Sequence, residues 1–304
     1  MSNISFNQEI NFEYFVASEV APNVRRMVAN NGNAMTFKGT NSYIVGKGNV
    51  AVIDPGPEIA EHREALLKEL DGETITHIIL THTHVDHSAG IAALQEATGA
   101  KTVGYGQRDQ NKRPSVIDKE FIDWDFNPDI VIQDGDVFEG DGWELEAIHT
   151  PGHAPDHLCL AMSGNDVLFS GDHVMAWNTS VVAPPEGHMG DYMTSLEKLL
   201  KRTEETYFPG HGGRITTPSR VVKAYLVHRT WREAAVLKCV RAGNHTIAAM
   251  LPSIYPDALT GGASLKSACE ASLLAHLEYL LERDFITNTE AGRPKLTGHF
   301  EAKS

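Results

Sequence analysis

Four short apolar runs of this chain each lead into a group rich in histidine, aspartate and glycine. They predict strands at residues 77–80, 143–150, 166–170 and 206–208, followed in turn by "THTHVDH", "PGHAPDH", "GDH" and "PGHGG". A strand holds a side chain more rigidly than a free loop does, which suits a site whose groups must be held in place beforehand. The recurrence predicts an α/β fold with polar residues at four strand ends.

The segment "THTHVDH" concentrates potential metal ligands. His82 and His84 alternate along an extended segment, so both side chains can point to the same side. Asp86 and His87, past the bend into a predicted helix, can face a second position. Neutral imidazoles and carboxylates are ligand types that zinc accepts in catalytic sites. Three more residues of these types follow the later strands, namely His153, Asp172 and His211.

The other elements are predicted from hydrophobic periodicity and turn residues. Residues 42–46 and 50–54 are expected to form paired strands, and residues 58–70 and 88–97 to form helices. Residues 107–129 are the least periodic segment and are expected to be an insert near the mouth of the site.

The character of the chain changes at about residue 217. Three amphipathic helical stretches are followed by two short β-prone runs around a Gly-Arg-Pro turn, a pattern typical of a winged helix. Residues 220–304 hold 11 Lys and Arg against 8 Asp and Glu, whereas residues 1–219 hold 15 against 32. We therefore predict a catalytic domain at residues 1–218 and a small winged-helix-like domain at residues 219–304.

The composition limits where such a protein acts and what it binds. The net charge of −14 is unfavourable for long polyanions unless metal ions locally reverse the field. No apolar run approaches the roughly 20 residues that a membrane span needs, so no membrane association is expected. The N-terminus lacks the basic and apolar regions of a secretory signal, and the chain has only 3 cysteines. These features predict a cytoplasmic protein.

The motifs "THTHVDH", "TPGH", "SGD" and "PGHG", in this order, resemble those of the metallo-β-lactamase fold superfamily, in its binuclear hydrolase branch. The resemblance covers residues 40–212 and implies a four-layer αββα sandwich. It implies that His82, His84 and His153 hold one metal, that Asp86, His87 and His211 hold a second, and that Asp172 bridges them. It also implies that Asp54 supports the histidine loop.

The chemistry that the resemblance implies is hydrolysis by a hydroxide bridged between two divalent ions, most simply Zn²⁺, with Mn²⁺ or Fe²⁺ as alternatives. Asp86 and Asp172 are the residues expected to act in catalysis. His157, His188 and Tyr192 are candidates for substrate contact, each against an alternative role in packing.

A narrower resemblance leaves the substrate open. "GTNSYIVG" (39–46), "TPGHAPDHLCL" (150–160) and "HRTWREAAVL" (228–237) are similar to the beta-lactamase-like protein 2 group, whose members carry a C-terminal winged-helix extension. Some of these proteins are similar to single-strand-specific endoribonucleases. The expected substrate is therefore either single-stranded RNA or a small thioester, lactone or ester.

Two other functional classes compete with hydrolysis. One is a mononuclear iron oxidoreductase similar to sulfur dioxygenases, which lack a complete second metal site. The other is a non-catalytic, metal-sensing regulator that binds nucleic acid through the winged helix. Residues 263–284 contain only Lys266 and Arg283 as basic residues, so sequence-specific DNA binding is not expected. Assembly into a homo-oligomer is left open.

Overall fold

The structure of the protein is a computed structural model that describes residues 4, 6–110, 121–260, 262–289, 294–295 and 297–303. Two large β-sheets form its centre. The first has seven strands in chain order, β1 to β7. Their bounds are Ser18–Ala21, Val24–Val28, Asn41–Val45, Asn49–Ile53, Thr74–Ile79, Lys101–Gly104 and Ile130–Val131. Neighbouring strands are antiparallel from β1 to β4 and parallel from β4 to β7.

The second sheet contains five strands in the order β12-β11-β10-β9-β8. Strands β8 to β12 span Val137–Gly140, Trp143–His149, Leu158–Met162, Val167–Gly171 and Thr206–Pro209. Only the β11–β12 pair is parallel within this sheet. The strands predicted before the four polar groups therefore correspond to β5, β9, β11 and β12.

The alternation of side chains along the strands builds the layers. In β4, Ala51 and Ile53 face the core between the two sheets, whereas Val50 and Val52 face the opposite side. That outer side is covered by helices α1 (Ala60–Glu69) and α3 (Ile91–Thr98), whose Leu66 and Leu94 join the cluster of Val50 and Val52. The short helix α2 spans Val85–Ser88 between them. Helix α4 (Met189–Leu199) covers the outer face of the second sheet, where Leu196 joins a buried cluster with Leu168. The protein thus has the predicted αββα sandwich.

The helix predicted at residues 88–97 is interrupted. Helices α2 and α3 are separated by Ala89 and Gly90. The amide of Gly90 donates to the carbonyl of Gly56 at 2.9 Å, and a Cβ on Gly90 would lie 3.1 Å from that oxygen. The close approach of these two loops accounts for the break and anchors the ligand-bearing turn.

The C-terminal part follows the predicted order of three helices and two strands. Helices α5, α6 and α7 span Pro218–Arg241, Ile247–Ile254 and Gly262–Glu282, with a short 3-10 helix at Pro256–Leu259. Strands β13 (Ile286–Asn288) and β14 (Phe300–Ala302) pair antiparallel, and residues 290–293 and 296 of the connection between them lie outside the described part of the chain. The winged-helix assignment and the domain boundary after residue 218 stay predictions.

Helix α5 belongs to two hydrophobic clusters. Its first half packs Val222 and Tyr225 onto the layer that covers the second sheet, and its second half packs Val236 and Val240 against α6 and α7. The helix therefore connects the C-terminal elements directly to the sandwich. No helix in the part of the chain that the structure describes is long and apolar enough to cross a membrane.

Candidate metal centre

The ligand-bearing segment begins directly after strand β5. Residues 80–83 are buried, and His84 takes the extended conformation that precedes helix α2. The two imidazoles approach each other across Thr83, with Nε2 of His82 lying 3.0 Å from Nδ1 of His84. The helical turn that follows directs Asp86 and His87 to the other side of the site.

Three histidines form the first set of potential ligands. Nε2 of His153 lies 3.1 Å from Nδ1 of His84, so the ligating atoms of His82, His84 and His153 converge on one point. The outer nitrogens have other partners. Nδ1 of His82 lies 3.0 Å from Oγ1 of Thr81, and Nδ1 of His153 donates to the carbonyl of Val181 at 2.6 Å.

Asp86, His87 and His211 form the second set. Oδ2 of Asp86 lies 3.1 Å from Nε2 of His211 and 3.4 Å from Nε2 of His87. Nδ1 of His211 lies 3.2 Å from the carbonyl oxygen of Gly39, on the side of the ring away from the site. Each imidazole of this set therefore turns one nitrogen towards the carboxylate.

Asp172 stands between the two sets. Its Oδ2 is 3.3 Å from Nε2 of His211 and 3.8 Å from Nε2 of His153, while its Oδ1 is 3.6 Å from Nε2 of His87. One carboxylate thus reaches histidines of both sets, which is the position expected of a bridging ligand. Gly210 makes this packing possible, because a Cβ there would lie 2.5 Å from Oδ1 of Asp172.

The two sets differ in their electrostatics. Burial, together with the neighbouring His153, lowers the pKa of His84 to about 3. Burial also acts to lower the pKa of His211, but the negative charges of Asp172 and Asp86 outweigh it and raise this pKa to about 10. His82 and His84 of the first set therefore offer uncharged imidazole lone pairs, and the second set contains carboxylates that favour a positive charge beside them.

The unpaired buried atoms fit bound cations. Nε2 of His87 and Oδ1 of Asp172 are buried and have no hydrogen-bond partner. Buried polar atoms are otherwise almost always paired, and both of these are atoms that ligate divalent metals. Three imidazoles turned towards one point, next to two carboxylates, are the donor set of a divalent metal site.

Comparison with known proteins agrees with this geometry. The sequence model of the Metallo-beta-lactamase superfamily matches residues 35–211, which include every residue of both ligand sets. The chain belongs to the metallo-β-lactamase superfamily. It is 32% identical over 243 residues to a "Beta-lactamase-like protein 2 homolog" of Drosophila melanogaster, covering 77% of this chain and 79% of that protein.

Other relatives of this metallo-β-lactamase superfamily member have names that specify a reaction. The chain is 28% identical over 261 residues to "Atrochrysone carboxyl ACP thioesterase dmxR1" of a Cryptosporiopsis species, covering 80% of this chain and 75% of that protein. Among solved structures, a metallo-beta-lactamase family protein of Thermus thermophilus matches 94% of this chain and 100% of its own, with a TM-score of 0.75 and 21% identity. The similarity to this solved structure shows the fold alone. Membership of this family, together with the two converging ligand sets, supports a hydrolase that binds divalent metal.

Asp54 holds the ligand segment of this metallo-β-lactamase fold in place through hydrogen bonds. It follows strand β4 with a φ of +50° and is 2% exposed. Its Oδ1 accepts the amide of Thr81, and its Oδ2 accepts both the hydroxyl of Thr81 and Nδ1–H of His87, each at 2.8 Å. These bonds fix the ring of His87 so that Nε2 points into the site, as carboxylates commonly do for metal-binding imidazoles.

The three residues expected to contact substrate lie elsewhere. His157 is fully buried, with Nδ1 2.9 Å from Oγ1 of Thr150 and Nε2 accepting the amide of Asp172 at 3.1 Å. Tyr192 is fully buried and donates to the carbonyl of His173. His188 precedes helix α4 and pairs with Asp191 and Glu282 at the surface. None of the three is among the described residues that line the cleft above the ligands, and their contact with substrate stays a prediction.

A buried ion-pair network was not anticipated from the sequence. The guanidinium of Arg108 pairs with Asp156 at 2.9 Å and with Glu186, and it also donates to the hydroxyl of Thr83. Asp156 in turn accepts the amide of Thr83, the residue between His82 and His84. The network thus fixes the backbone between the ligands His82 and His84. The one sequence signal for it was the position of Asp156 within the ligand motif "TPGHAPDH".

A cleft of about 450 Å³ opens above the ligands. His84, Asp86, His153, Asp172 and His211 contribute to its floor. Most of its walls are apolar, formed by Met35, Val85, Phe121, Ile122, Met175, Val181, Ala183, Pro184 and Pro185. No lysine or arginine is among the described residues that line it. The site thus combines a polar floor with apolar walls.

Proposed function

We propose that this protein is a binuclear zinc hydrolase that cleaves thioesters of apolar carboxylic acids. The observation that carries the proposal is the cleft, in which the ligand-bearing floor meets walls made mainly of aliphatic and aromatic side chains. Phe121 and Met35 line it while 61% and 43% exposed, respectively, so each has apolar surface left for a substrate to cover. Small-molecule sites typically pair such walls with a few polar groups.

The charge of the cleft favours a neutral acyl group over single-stranded RNA. Proteins that bind nucleic acid neutralise phosphates with Lys and Arg, and single-strand grooves add stacking side chains. Among the described residues that line this cleft, the charged ones are Asp86, Asp172 and Glu186, apart from the histidines. Lys112, Arg113 and Lys119 lie in residues 111–120, outside the described part of the chain. The described walls therefore support an apolar substrate.

The thioesterase-named relative supports the same bond type. The carbonyl carbon of a thioester is more electrophilic than that of an oxygen ester, and a thiolate is a better leaving group than an alkoxide. In the proposed reaction the acyl carbon gains the oxygen of water, the C–S bond breaks, and the sulfur leaves with the bonding electrons and takes up a proton. This balances without an oxidant or reductant.

Two ions bound by these residues would lower the pKa of a shared water and polarise the substrate carbonyl. The side chains of the chain do the remaining work. Asp172 and the histidines hold the site rigid, and Asp86, whose carboxylate is 25% exposed, orients the nucleophile from the floor of the cleft and receives its proton. The apolar walls position the acyl chain so that its carbonyl lies over the floor.

A complete second ligand set supports a binuclear hydrolase over a mononuclear iron oxidoreductase. Asp86, His87 and His211 converge as closely as the three histidines of the first set do. A sensor without catalysis would have no need of an apolar, substrate-sized cleft over its metals. We further propose that the metal is zinc, that the protein is cytoplasmic and that it assembles into homo-oligomers.

The proposal is tested with a substrate panel given to zinc-replete protein. Acyl thioesters from acetyl to dodecanoyl, matched oxygen esters, a β-lactam and end-labelled single-stranded RNA are assayed side by side. We expect thioesters to be the best substrates, with kcat/KM rising with acyl length. Cleavage of RNA together with inactivity on every thioester would replace the proposal with an endoribonuclease.

A further inference from the structure

The loop of residues 172–181, between strand β11 and helix α4, carries a functional group at each end. At its start, the carboxylate of Asp172 stands between the two ligand sets. At its end, the carbonyl of Val181 accepts Nδ1–H of His153 at 2.6 Å and so orients that ring. The shape of this loop therefore controls one ligand directly and a second through a hydrogen bond.

Ser180 closes the loop on itself. Its hydroxyl lies 2.5 Å from the carbonyl oxygen of Asp172 and 2.9 Å from that of His173, and the residue is 2% exposed. A hydroxyl has one hydrogen, so it donates to these two acceptors in turn. The contact draws the end of the loop towards its beginning, and it joins the backbone of Asp172 to the residue that precedes Val181.

Helix α5 holds this closed loop from outside. Arg229 is 2% exposed, donates from its guanidinium to the carbonyl of Ser180 and stands over the ring of Tyr192, 5.1 Å from its centroid. One turn earlier, Tyr225 donates to the carbonyl of Met175 at 2.7 Å and accepts the Met175 amide at 3.2 Å. A charge-assisted hydrogen bond from a buried arginine is stronger than a neutral one.

We propose that Arg229 is a positioning residue of the metal centre, which fixes the 172–181 loop through Ser180 so that Asp172 and His153 keep their ligating geometry. The C-terminal helices are then part of the metal site rather than an appended module. Arg229 itself touches neither a ligand side chain nor the cleft, so its effect passes through the backbone of the loop. The inference depends on metal binding and is independent of which acyl group the cleft accepts.

The neighbouring Arg232 provides a matched control on the same helix. Its guanidinium donates to the carbonyl of Ile254 and stacks over Tyr255, 4.2 Å from the ring centroid. Arg232 therefore stabilises the contact between α5 and α6, away from the 172–181 loop. Lys223, exposed on α5, controls for the loss of a positive charge.

The experiment measures metal binding by full-length Arg229→Gln, Arg232→Gln and Lys223→Gln proteins. Zinc affinity is measured by competition with a chromophoric chelator, and the Co²⁺-substituted proteins are compared by visible absorption. We expect Arg229→Gln to lose at least tenfold in affinity and to change the Co²⁺ spectrum, with both controls unchanged. Arg229→Lys should restore part of the affinity, because an ammonium can also donate to the Ser180 carbonyl.

A second variant keeps the test decisive if Arg229→Gln does not fold. Ser180→Ala removes the hydroxyl that closes the loop and leaves helix α5 intact, and it should lower zinc affinity in the same direction. Wild-type affinity and an unchanged Co²⁺ spectrum in a folded Arg229→Gln protein would overturn the proposal. An equal loss in Arg232→Gln would also overturn it, since the C-terminal helices would then act through general stability alone.

Discussion

Oδ2 of Asp54 accepts Nδ1–H of His87 at 2.8 Å, while Nε2 of the same ring is buried without a partner. One carboxylate therefore determines which nitrogen of His87 faces the site. The same carboxyl group also binds Thr81, at the start of the ligand segment. This relationship links the end of strand β4 to the second ligand set.

Replacement of Asp54 by Asn should weaken metal binding at the second set. The amide can present an N–H to Nδ1 of His87, which favours the wrong tautomer, and Asn tolerates the positive φ of this position. We expect a 10- to 100-fold loss of affinity for one of the two metals, in line with the typical cost of losing such a partner. Stoichiometry and affinity are measured by zinc titration. Two sites of unchanged affinity would show that His87 does not depend on Asp54.

Replacement of Arg108 by Met should destabilise the metal-free protein by about 3 kcal/mol, because it removes the cation that pairs with the buried carboxylate of Asp156 and the partly buried carboxylate of Glu186. Urea unfolding measures this change. Arg63→Met, which breaks a surface pair with Glu58, is the control and should cost less than about 1 kcal/mol. Equal effects of the two substitutions would mean that the network contributes no more than a surface pair. Adding Asp156→Asn to Arg108→Met should recover part of the loss.

Truncating apolar side chains of the cleft walls should lower activity on long acyl thioesters more than activity on short ones. Phe121→Ala and Met35→Ala each remove apolar surface that a long acyl chain covers. For a long-chain substrate, the binding free energy lost in each variant is about 1.4 kcal/mol, which corresponds to about tenfold in kcat/KM. We expect the ratio of octanoyl to acetyl thioester activity to fall about tenfold. Val137→Ala, an exposed apolar position on strand β8, is the control. An equal loss of kcat/KM for the octanoyl and acetyl thioesters would show that the acyl chain does not bind against these two side chains.

Acid should destabilise the protein through His62. This imidazole binds the hydroxyl of Ser42 at 2.9 Å, and burial lowers its pKa to about 4. Because the folded state disfavours the protonated ring, its contribution to stability is complete above the unfolded pKa of about 6.5 and is lost as the pH falls towards 4. The loss between pH 6.5 and 4.5 is on the order of 2 kcal/mol.

The measurement is urea unfolding of wild type and His62→Gln across this range. Glutamine can bind Ser42 but does not titrate, so the variant should show a smaller decrease in the free energy of unfolding on acidification. Parallel pH profiles would assign the acid sensitivity to other groups.

The sequence predicted the sandwich and located the ligands for a simple physical reason. Strands and their polar ends are local features, and residues such as His82 and Asp172 are identified by type and by position after a strand. The structure brings all seven expected ligands together. The order of elements after residue 217 was likewise readable from helical periodicity, whereas the winged-helix assignment still awaits a test.

The contacts that the sequence did not predict connect distant segments. Arg108 lies in the least periodic region, and its partners Asp156 and Glu186 are 48 and 78 residues away. His157 was a candidate for substrate contact because it lies four residues after His153, yet its ring turns inward to Thr150. The direction in which a loop side chain points depends on contacts with residues distant in the chain. Local sequence patterns do not reveal those contacts.

The central claim is most directly tested by thiol release from an octanoyl thioester. Zinc-replete wild type, the chelator-treated protein and an identically purified Asp172→Ala variant are compared, with metal content measured in each. We predict turnover by the zinc-replete protein, its loss on chelation, its return when zinc is added, and no turnover by Asp172→Ala together with reduced metal content. Turnover that persists in the metal-free protein, or a fully active and fully metallated Asp172→Ala variant, would contradict the account.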